Sequence, residues 1–398
     1  MGLAHWMRLA MSGIDLAPMA QELISRAKNN PGDAEALLDL SIIMQLNSNR
    51  ELAMNLQAEA LAMKQIFHIS ADKKPHIRLL AFCVPGDLMA NTPLECLIEQ
   101  SDISLDLFYI APHLPFPEEV PEHDVAIIAI AESDESRRLL SQMNQLAENW
   151  PRPVINDPLK ILNLARETAY TLLGDERGID YPATIRSERH GLEKIVRQEG
   201  SLHDLLTSLQ FPIIIRPIDS HAGKGLSKIT NALELDDYLK RMPQPEFYIS
   251  RFVDYSSADG LFRKFRIVFI EGKPFICHMA ISENWMVHYL NAGMSENPER
   301  RLEEAQNMEN FDEGFALRHS KAFSTLTQRI NLDYFGIDCA ESAEGKLLIF
   351  EIASAMVVHA MDPEEEYSYK LPQMNKVFSA FRDLLIRAKS QGIPPHTD

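Results

Sequence analysis

The chain has 398 residues, of which 45% are apolar and 24% charged; at about 150 residues per domain that is room for two or three domains with a large core. Its 57 Asp and Glu outnumber 39 Lys and Arg, giving a formal charge of −18. This excludes the broad basic surface with which a general nucleic-acid binder meets phosphates. The longest apolar run, Val125 to Ala131, is far short of the ~20 residues that cross a bilayer. The opening MGLAHWMRLAMSG lacks a long apolar segment followed by a small-residue cleavage site. The expectation is a cytoplasmic protein with no nucleic-acid and no membrane partner. Cys83, Cys96, Cys277 and Cys339 are scattered, without C-x-x-C or metal-ligand spacing, and read as buried thiols in a reducing compartment.

Residues 1–72 read as helical. Leu37, Leu38, Leu40, Ile43 and Met44 follow helical spacing after the turn-and-cap sequence Asn30-Pro31-Gly32-Asp33, and a second amphipathic stretch runs from Arg50 to Phe67. The pair resembles one tetratricopeptide-like hairpin. One repeat cannot stack into a solenoid, so its apolar face is expected to cap the molecule, form a homodimer or meet a protein partner. Residues 76–155 change period: Arg78–Val84, Leu105–Ile110 and Val125–Ala131 are apolar runs of strand length separated by helix-length segments. That predicts β-α-β units and a parallel, Rossmann-like sheet. No G-x-G-x-x-G accompanies Gly86, so a dinucleotide is not implied. A Pro-rich junction, WPRPVINDPLK, precedes a predicted helix over Leu159–Leu173 that Gly174 stops. Mixed strands and turns follow, then a final helix from Pro372 to Lys389 and a frayed tail.

The most informative stretch is FPIIIRPIDSHAGKGLSKI, from Phe211 to Ile229. A buried strand ends at Arg216, a loop carries Ser220, His221, Gly223, Lys224 and Gly225, and a second strand begins near Leu226. Glycines flanking a lysine let backbone N–H groups and an ammonium approach a polyanion closely. The strand–loop–strand order differs from a G-x-x-x-x-G-K-[ST] loop, which leads into a helix.

This segment resembles the glycine-rich loop of ATP-grasp enzymes, with Arg216 where the family usually carries a phosphate-contacting lysine. Further matches follow in the family's order. FYISRFVDY resembles the hinge strand that holds the adenine edge, with Arg251, Phe252 and Val253 at the hinge and Asp254 placed for the ribose hydroxyls. KFRIVFIEGKPFICHMA is similar to the family's D-x-R strand pair, with Arg266 as its arginine. YFGIDCAESAEGKLLIFEIAS resembles the paired metal-binding strands, with Asp338 and Glu351 at the two carboxylate positions. Carboxylates on adjacent strands can face one cavity and hold Mg²⁺ against the β- and γ-phosphates.

The resemblance covers residues 78 to 389, nearest to ribosomal-protein glutamate-ligase and glutathione-synthetase-like members. It implies an α/β (α+β) fold: the helical segment 1–72, a Rossmann-like pre-ATP-grasp domain over 76–155 and an ATP-grasp domain over 156–398. It implies ATP and Mg²⁺ as cofactors, and small-molecule or peptide carboxylate and amine substrates. The activity it implies is a carboxylate–amine (or thiol) ligase acting through an acyl phosphate, with Arg216, Lys224 and Arg266 balancing phosphate charge and His221 closing on the γ-phosphate. An acceptor site is implied around ISENWMVHYLNAGM, with Trp285, His288, Tyr289 and Asn291, flanked by His278 and His359. If that segment is a strand, Trp285, Val287 and Tyr289 share one face and Met286, His288 and Leu290 the other.

Two departures keep other readings open. The metal motif E-x-N reads Glu351-Ile352-Ala353, with Ser354 or a water left to replace the Asn, and the R-D-K helix reads Arg166-Glu167-Thr168. A kinase on the same fold and a nucleotide-binding scaffold are the alternatives. The acidic segment Ser295–Gly314 is expected to be a loop beside the site. From Phe211 to Lys273 the chain has ten Lys or Arg against eight Asp or Glu, so basic residues concentrate where the resemblance places one nucleotide.

Overall fold

Four helices open the chain: α1 (Leu3–Met11), α2 (Ala17–Asn29), α3 (Ala34–Leu46) and α4 (Arg50–Met63). The Asp33 carboxylate caps α3 by accepting from Ala36 N at 2.9 Å. Leu37, Leu38, Leu40, Ile42 and Ile43 of α3 are all buried, because α1, α2 and α4 pack around it. The expected hairpin is therefore the α3–α4 half of a larger helical group. The helix expected to reach Phe67 ends at Met63, since Ile66–Ile69 becomes a strand. These features are seen in a computed structural model that describes residues 1–218, 220 and 223–391.

β1 (Ile66–Ile69), β2 (Ile77–Cys83), β3 (Ile103–Tyr109), β4 (Val125–Ile128) and β5 (Val154–Ile155) form the first sheet, in the order β1-β3-β2-β4-β5. All neighbours are parallel except β1 against β3. β2 and β4 are buried almost end to end, as apolar runs covered on both faces must be.

β6 (Ile179–Asp180) precedes β7 (Thr184–Glu188), β8 (Ile213–Pro217), β9 (Ser227–Ile229) and β10 (Glu246–Arg251). The last four make an antiparallel sheet in the order β7-β10-β8-β9, with Leu192, Ile213, Ile215, Leu235, Tyr238 and Phe247 in its core. β11 (Phe262–Ile270), β12 (Lys273–Ser282), β13 (Tyr334–Glu341) and β14 (Leu347–Ala353) complete a third sheet, ordered β12-β11-β13-β14-β6. On one side of it Tyr334 meets Phe381 of the last helix, Leu371–Gln391; on the other Phe269 stacks on Phe335 and meets Phe323. The α/β architecture with N-terminal helices is the one expected from the sequence. Among the described residues no helix is long and apolar enough to cross a membrane, and all four cysteines are buried and free.

Two further expectations fail for local reasons. The helix predicted over Leu159–Leu173 breaks into Pro158–Ile161, a 3-10 turn at Leu162–Leu164, and Arg166–Leu173. Just before the break, the Asn156 side chain donates to Tyr334 O at 2.9 Å and accepts from Tyr334 N at 3.0 Å, which clamps the junction to β13. The acidic segment contains the helix Pro298–Glu309, capped by Asn297 and with Glu304 fully buried.

α1 is held by two buried carboxylates. Asp39 accepts from Gly2 N and Trp6 Nε1, each at 2.9 Å, and Glu95 accepts from Ala4 N at 3.0 Å. Burial outweighs that hydrogen bond and lifts the Glu95 carboxyl from its ordinary value near 4.5 to about 7. Between these pH values the folded state binds a proton that the unfolded state has lost, so stability falls as pH rises. Glu95→Gln is expected to remove about 2–3 kcal/mol of this loss, measured as a flatter dependence of urea midpoints on pH from 4.5 to 7.

Candidate active site

The turn between β8 and β9 carries the sequence's glycine loop. Gly223 and Gly225 have φ of +71° and +70°, a region that side chains with a Cβ rarely enter. A Cβ on Gly225 would lie 2.8 Å from Pro217 Cδ, and one on Gly223 would lie 2.5 Å from His288 Nε2. Both glycines are thus needed for close approach, Gly225 to Pro217 and Gly223 to His288 in the segment after β12. Tyr238 Oη donates to Gly225 O at 2.7 Å and steadies the loop. At its base, Arg216 Nε donates to Ser220 Oγ at 3.0 Å, and Ser220 Oγ donates to Pro217 O at 2.7 Å. Burial, and then the charge of Arg166, push the Arg216 guanidinium down to about 10. Lys224 is exposed. His221 lies outside the described residues.

The third sheet presents a row of polar side chains. His278, Arg266, Asp338 and Glu351 are successive register partners on β12, β11, β13 and β14, so all four share one face. Lys264, two residues before Arg266, stands on that face too. Arg266 grips Asp338 through Nε–Oδ1 at 2.8 Å and Nη2–Oδ2 at 3.1 Å, while Lys264 Nζ lies 2.8 Å from Oδ2. Burial alone would raise the Asp338 pKa; Arg266 and Lys264 outweigh it and hold the carboxyl far below the usual range. Glu351 is held low in the same way, by Arg166 and then Arg216 against burial. Arg166 Nη2 donates to Glu351 Oε1 at 2.7 Å and Nη1 to Phe350 O at 2.8 Å.

The two carboxylates expected to hold Mg²⁺ are therefore adjacent, as the resemblance implies, but each is already answered by a cation. Ala353 offers no ligand. The buried Ser354 hydroxyl has no partner among the described residues, and the Ser354 carbonyl takes Thr92 Oγ1 at 3.0 Å. Among the described residues no three His, Cys, Asp or Glu converge as a metal site. Arg166, Arg216, Lys264 and Arg266 against Asp338 and Glu351 leave a positive excess. This donor set fits an anion and does not fit a divalent cation.

The residues expected at the hinge lie at the end of β10 and just after it, and have partners of their own. Arg251 is tied to Asp180 at 2.6 Å, which fastens β10 to β6 and takes its side chain away from a ligand. The N–H groups of Arg251 and Phe252 already donate, to Ala183 O at 3.1 Å and Pro212 O at 3.2 Å. Val253 is partly buried. The Phe252 ring centre lies 3.6 Å from Lys228 Nζ, and the ring meets Trp285 edge-on at 5.9 Å. Asp254 is exposed, and its Oδ1 accepts from Ser256 N and Oγ at 3.0 and 2.7 Å.

The expected acceptor segment divides. β12 ends at Ser282 and Tyr289–Asn291 is a 3-10 turn, so strand alternation does not govern these residues. His288 faces the glycine loop, and burial followed by the Lys264 charge keeps its imidazole pKa low. Trp285 is placed by Tyr255 Oη, which donates to its carbonyl at 2.6 Å. Tyr289 instead turns inward, donating to Glu304 Oε2 at 2.7 Å beside Tyr369 at 2.6 Å, while Met279 N donates to Oε1 at 2.9 Å. Lys370, buried, stands 3.8 Å above the Tyr289 ring and 3.0 Å from Asp362. His278 meets Tyr289 at 4.7 Å with Nδ1 buried and unpartnered among the described residues. His359 Nδ1 accepts from Met361 N at 3.1 Å, and Asn291 is exposed. Sequence reasoning missed Lys264, Glu304, Tyr369 and Lys370. The alternation around Arg266 could have found Lys264; nothing local marked the others.

No family model and no curated protein matches the chain. Solved structures do. The chain is similar to the D-alanine–D-alanine ligase of Bacillus anthracis in complex with ATP, at 14% identity and a TM-score of 0.47 over 79% of this chain and 97% of that one. It is similar to the VanG D-Ala:D-Ser ligase of Enterococcus faecalis at 13% identity and a TM-score of 0.47, over 78% and 98% of the two chains. It is also similar to a RimK domain ATP-grasp protein of Sphaerobacter thermophilus at 12% identity and a TM-score of 0.42, over 77% and 99%.

The Glu304 network is checkable by stability alone. Tyr369→Phe removes one of its donors and is expected to cost about 1 kcal/mol. Glu304→Leu leaves the Met279 N–H and two tyrosine hydroxyls without their acceptor and is expected to cost about 3 kcal/mol or more, both read from urea unfolding.

Proposed function

We propose that the protein is an ATP-dependent ligase of the ATP-grasp type, joining a carboxylate to an amine with release of ADP and phosphate. The observation that carries this reading is the gathering of four cations, Arg166, Arg216, Lys264 and Arg266, beside the glycine loop. A glycine loop with two positive-φ glycines faces a sheet row of cations, with Arg216 and Arg166 between them. Such a cleft suits a polyphosphate, whose charge needs fixed donors on more than one side. The motifs from the glycine loop to β14 agree with it in kind and order.

In this reading a substrate carboxylate oxygen bonds to the γ-phosphorus and the bridging oxygen leaves with ADP. The amine nitrogen then bonds to the acyl carbon, phosphate leaves and the amine gives up a proton. Arg216 and Arg166 hold the phosphates from β8 and the helix Arg166–Leu173, and Arg266 and Lys264 hold them from β11. Lys224, exposed on the loop, closes over them. His288, neutral and beside the loop, is positioned to take the amine proton. Positioning and preorganised charge do most of the work, as for phosphoryl transfer generally.

The test is an ADP-release screen over amino acids, short peptides and other carboxylates, with hydroxylamine present. ADP together with a hydroxamate supports the ligase. ADP with a phosphate ester and no hydroxamate identifies a kinase, and nucleotide binding without ADP from any mixture identifies a scaffold. Arg216→Ala is expected to weaken ATP about 10- to 100-fold, measured by calorimetry; unchanged affinity would place the phosphates elsewhere.

A further inference from the structure

At the position where the resembled D-x-R strand motif carries an acid, this chain has Lys264, a reversal of charge two residues before Arg266. The side chain is largely buried, 13% exposed, and its Nζ lies 2.8 Å from Asp338 Oδ2. Arg266 covers the other oxygen of the same carboxylate at 2.8 Å. Next in the row, Glu351 is engaged by Arg166 at 2.7 Å. One more position of the resembled motif has lost its oxygen ligand, because Ala353 stands where an Asn is usual. Added charge at 264 and lost donor at 353 change the site in one direction.

We propose that Lys264 is a built-in cation: with Arg266 it supplies the positive charge that a divalent metal ion would bring to this cleft, so that the site takes a nucleoside diphosphate or triphosphate without one. The inference rests on the nucleotide reading above. A divalent ion on Asp338 would have to displace a lysine and a two-pronged arginine. It would leave both facing it in a site largely closed to water, where like charges repel strongly. Magnesium also asks for near-octahedral oxygen ligands and gives up its water reluctantly. Both Asp338 oxygens and Glu351 Oε1 already have partners. A phosphate meets the opposite situation, since Lys264 and Arg266 keep free N–H donors and Asp338 fixes their direction. Asp338 is thus a positioning residue that holds two anion-binding groups in place.

Calorimetry with ADP on the full chain, in excess EDTA and in excess magnesium, tests this. The expected result is binding in both, with affinities within about threefold of each other. Lys264→Met is expected to lose about 10- to 100-fold of the affinity in EDTA. Asp338→Asn, which removes a negative charge beside the anion, is expected to bind ADP about threefold or more tightly in EDTA and in magnesium alike, whereas a metal ligand replaced this way would lose binding in magnesium. Circular dichroism checks that both variants are folded, and the wild-type comparison needs no variant. ADP binding that requires magnesium overturns the inference and leaves the nucleotide site standing. No ADP binding under either condition overturns the nucleotide reading itself.

Discussion

A carboxylate in the middle of a sheet, almost closed to water, has to be answered by charge, and the site is organised around how Asp338 is answered. Its two oxygens are shared between Arg266 and Lys264 on the neighbouring strand. That arrangement fixes three side chains on two neighbouring strands. Glu351 repeats it one strand over with Arg166, which arrives from the junction helix. Each acid here directs cations, and the cleft keeps a positive excess inside a chain that is strongly negative overall.

The same interactions connect distant parts of the molecule. Arg166 reaches β14 because the helix before it is broken and because Asn156 clamps the junction to Tyr334. Arg266 Nη1 also donates to Val357 O, in the segment after β14. That segment is covered by the first helix of the chain: Ala4 and Met361 share a small apolar cluster, and Arg8 reaches Ala360 O at 3.5 Å while bound to Glu99. The N-terminal helices thus support the loop that helps hold Arg266, a structural reason for their presence that requires no partner.

Much of this was legible in the sequence, for identifiable reasons. Strands buried on both faces, such as Ile77–Cys83, announce themselves as apolar runs, and a glycine that must adopt positive φ leaves its own mark at 223 and 225. The row Arg266, Asp338 and Glu351 followed from motif order. What the sequence hid depends on three-dimensional partners. Arg251 looks free until Asp180 is seen beside it, and Glu304 looks like one acid among seven between Ser295 and Gly314 until burial singles it out. Tyr289 was read toward the substrate, but a carboxylate on a helix absent from the sequence reading draws it inward. The carboxylates at 338 and 351 are legible as residues, but their pairing with Lys264 and Arg166 cannot be seen along the chain.

The most direct test of the central claim is a crystal structure with a non-hydrolysable ATP analogue. The account predicts phosphates between the glycine loop and the third sheet, touching Arg216, Arg166 and Lys264, with the Asp338–Arg266 pair intact. An analogue bound away from this cleft, or one whose binding breaks Asp338 from both Lys264 and Arg266, would contradict it.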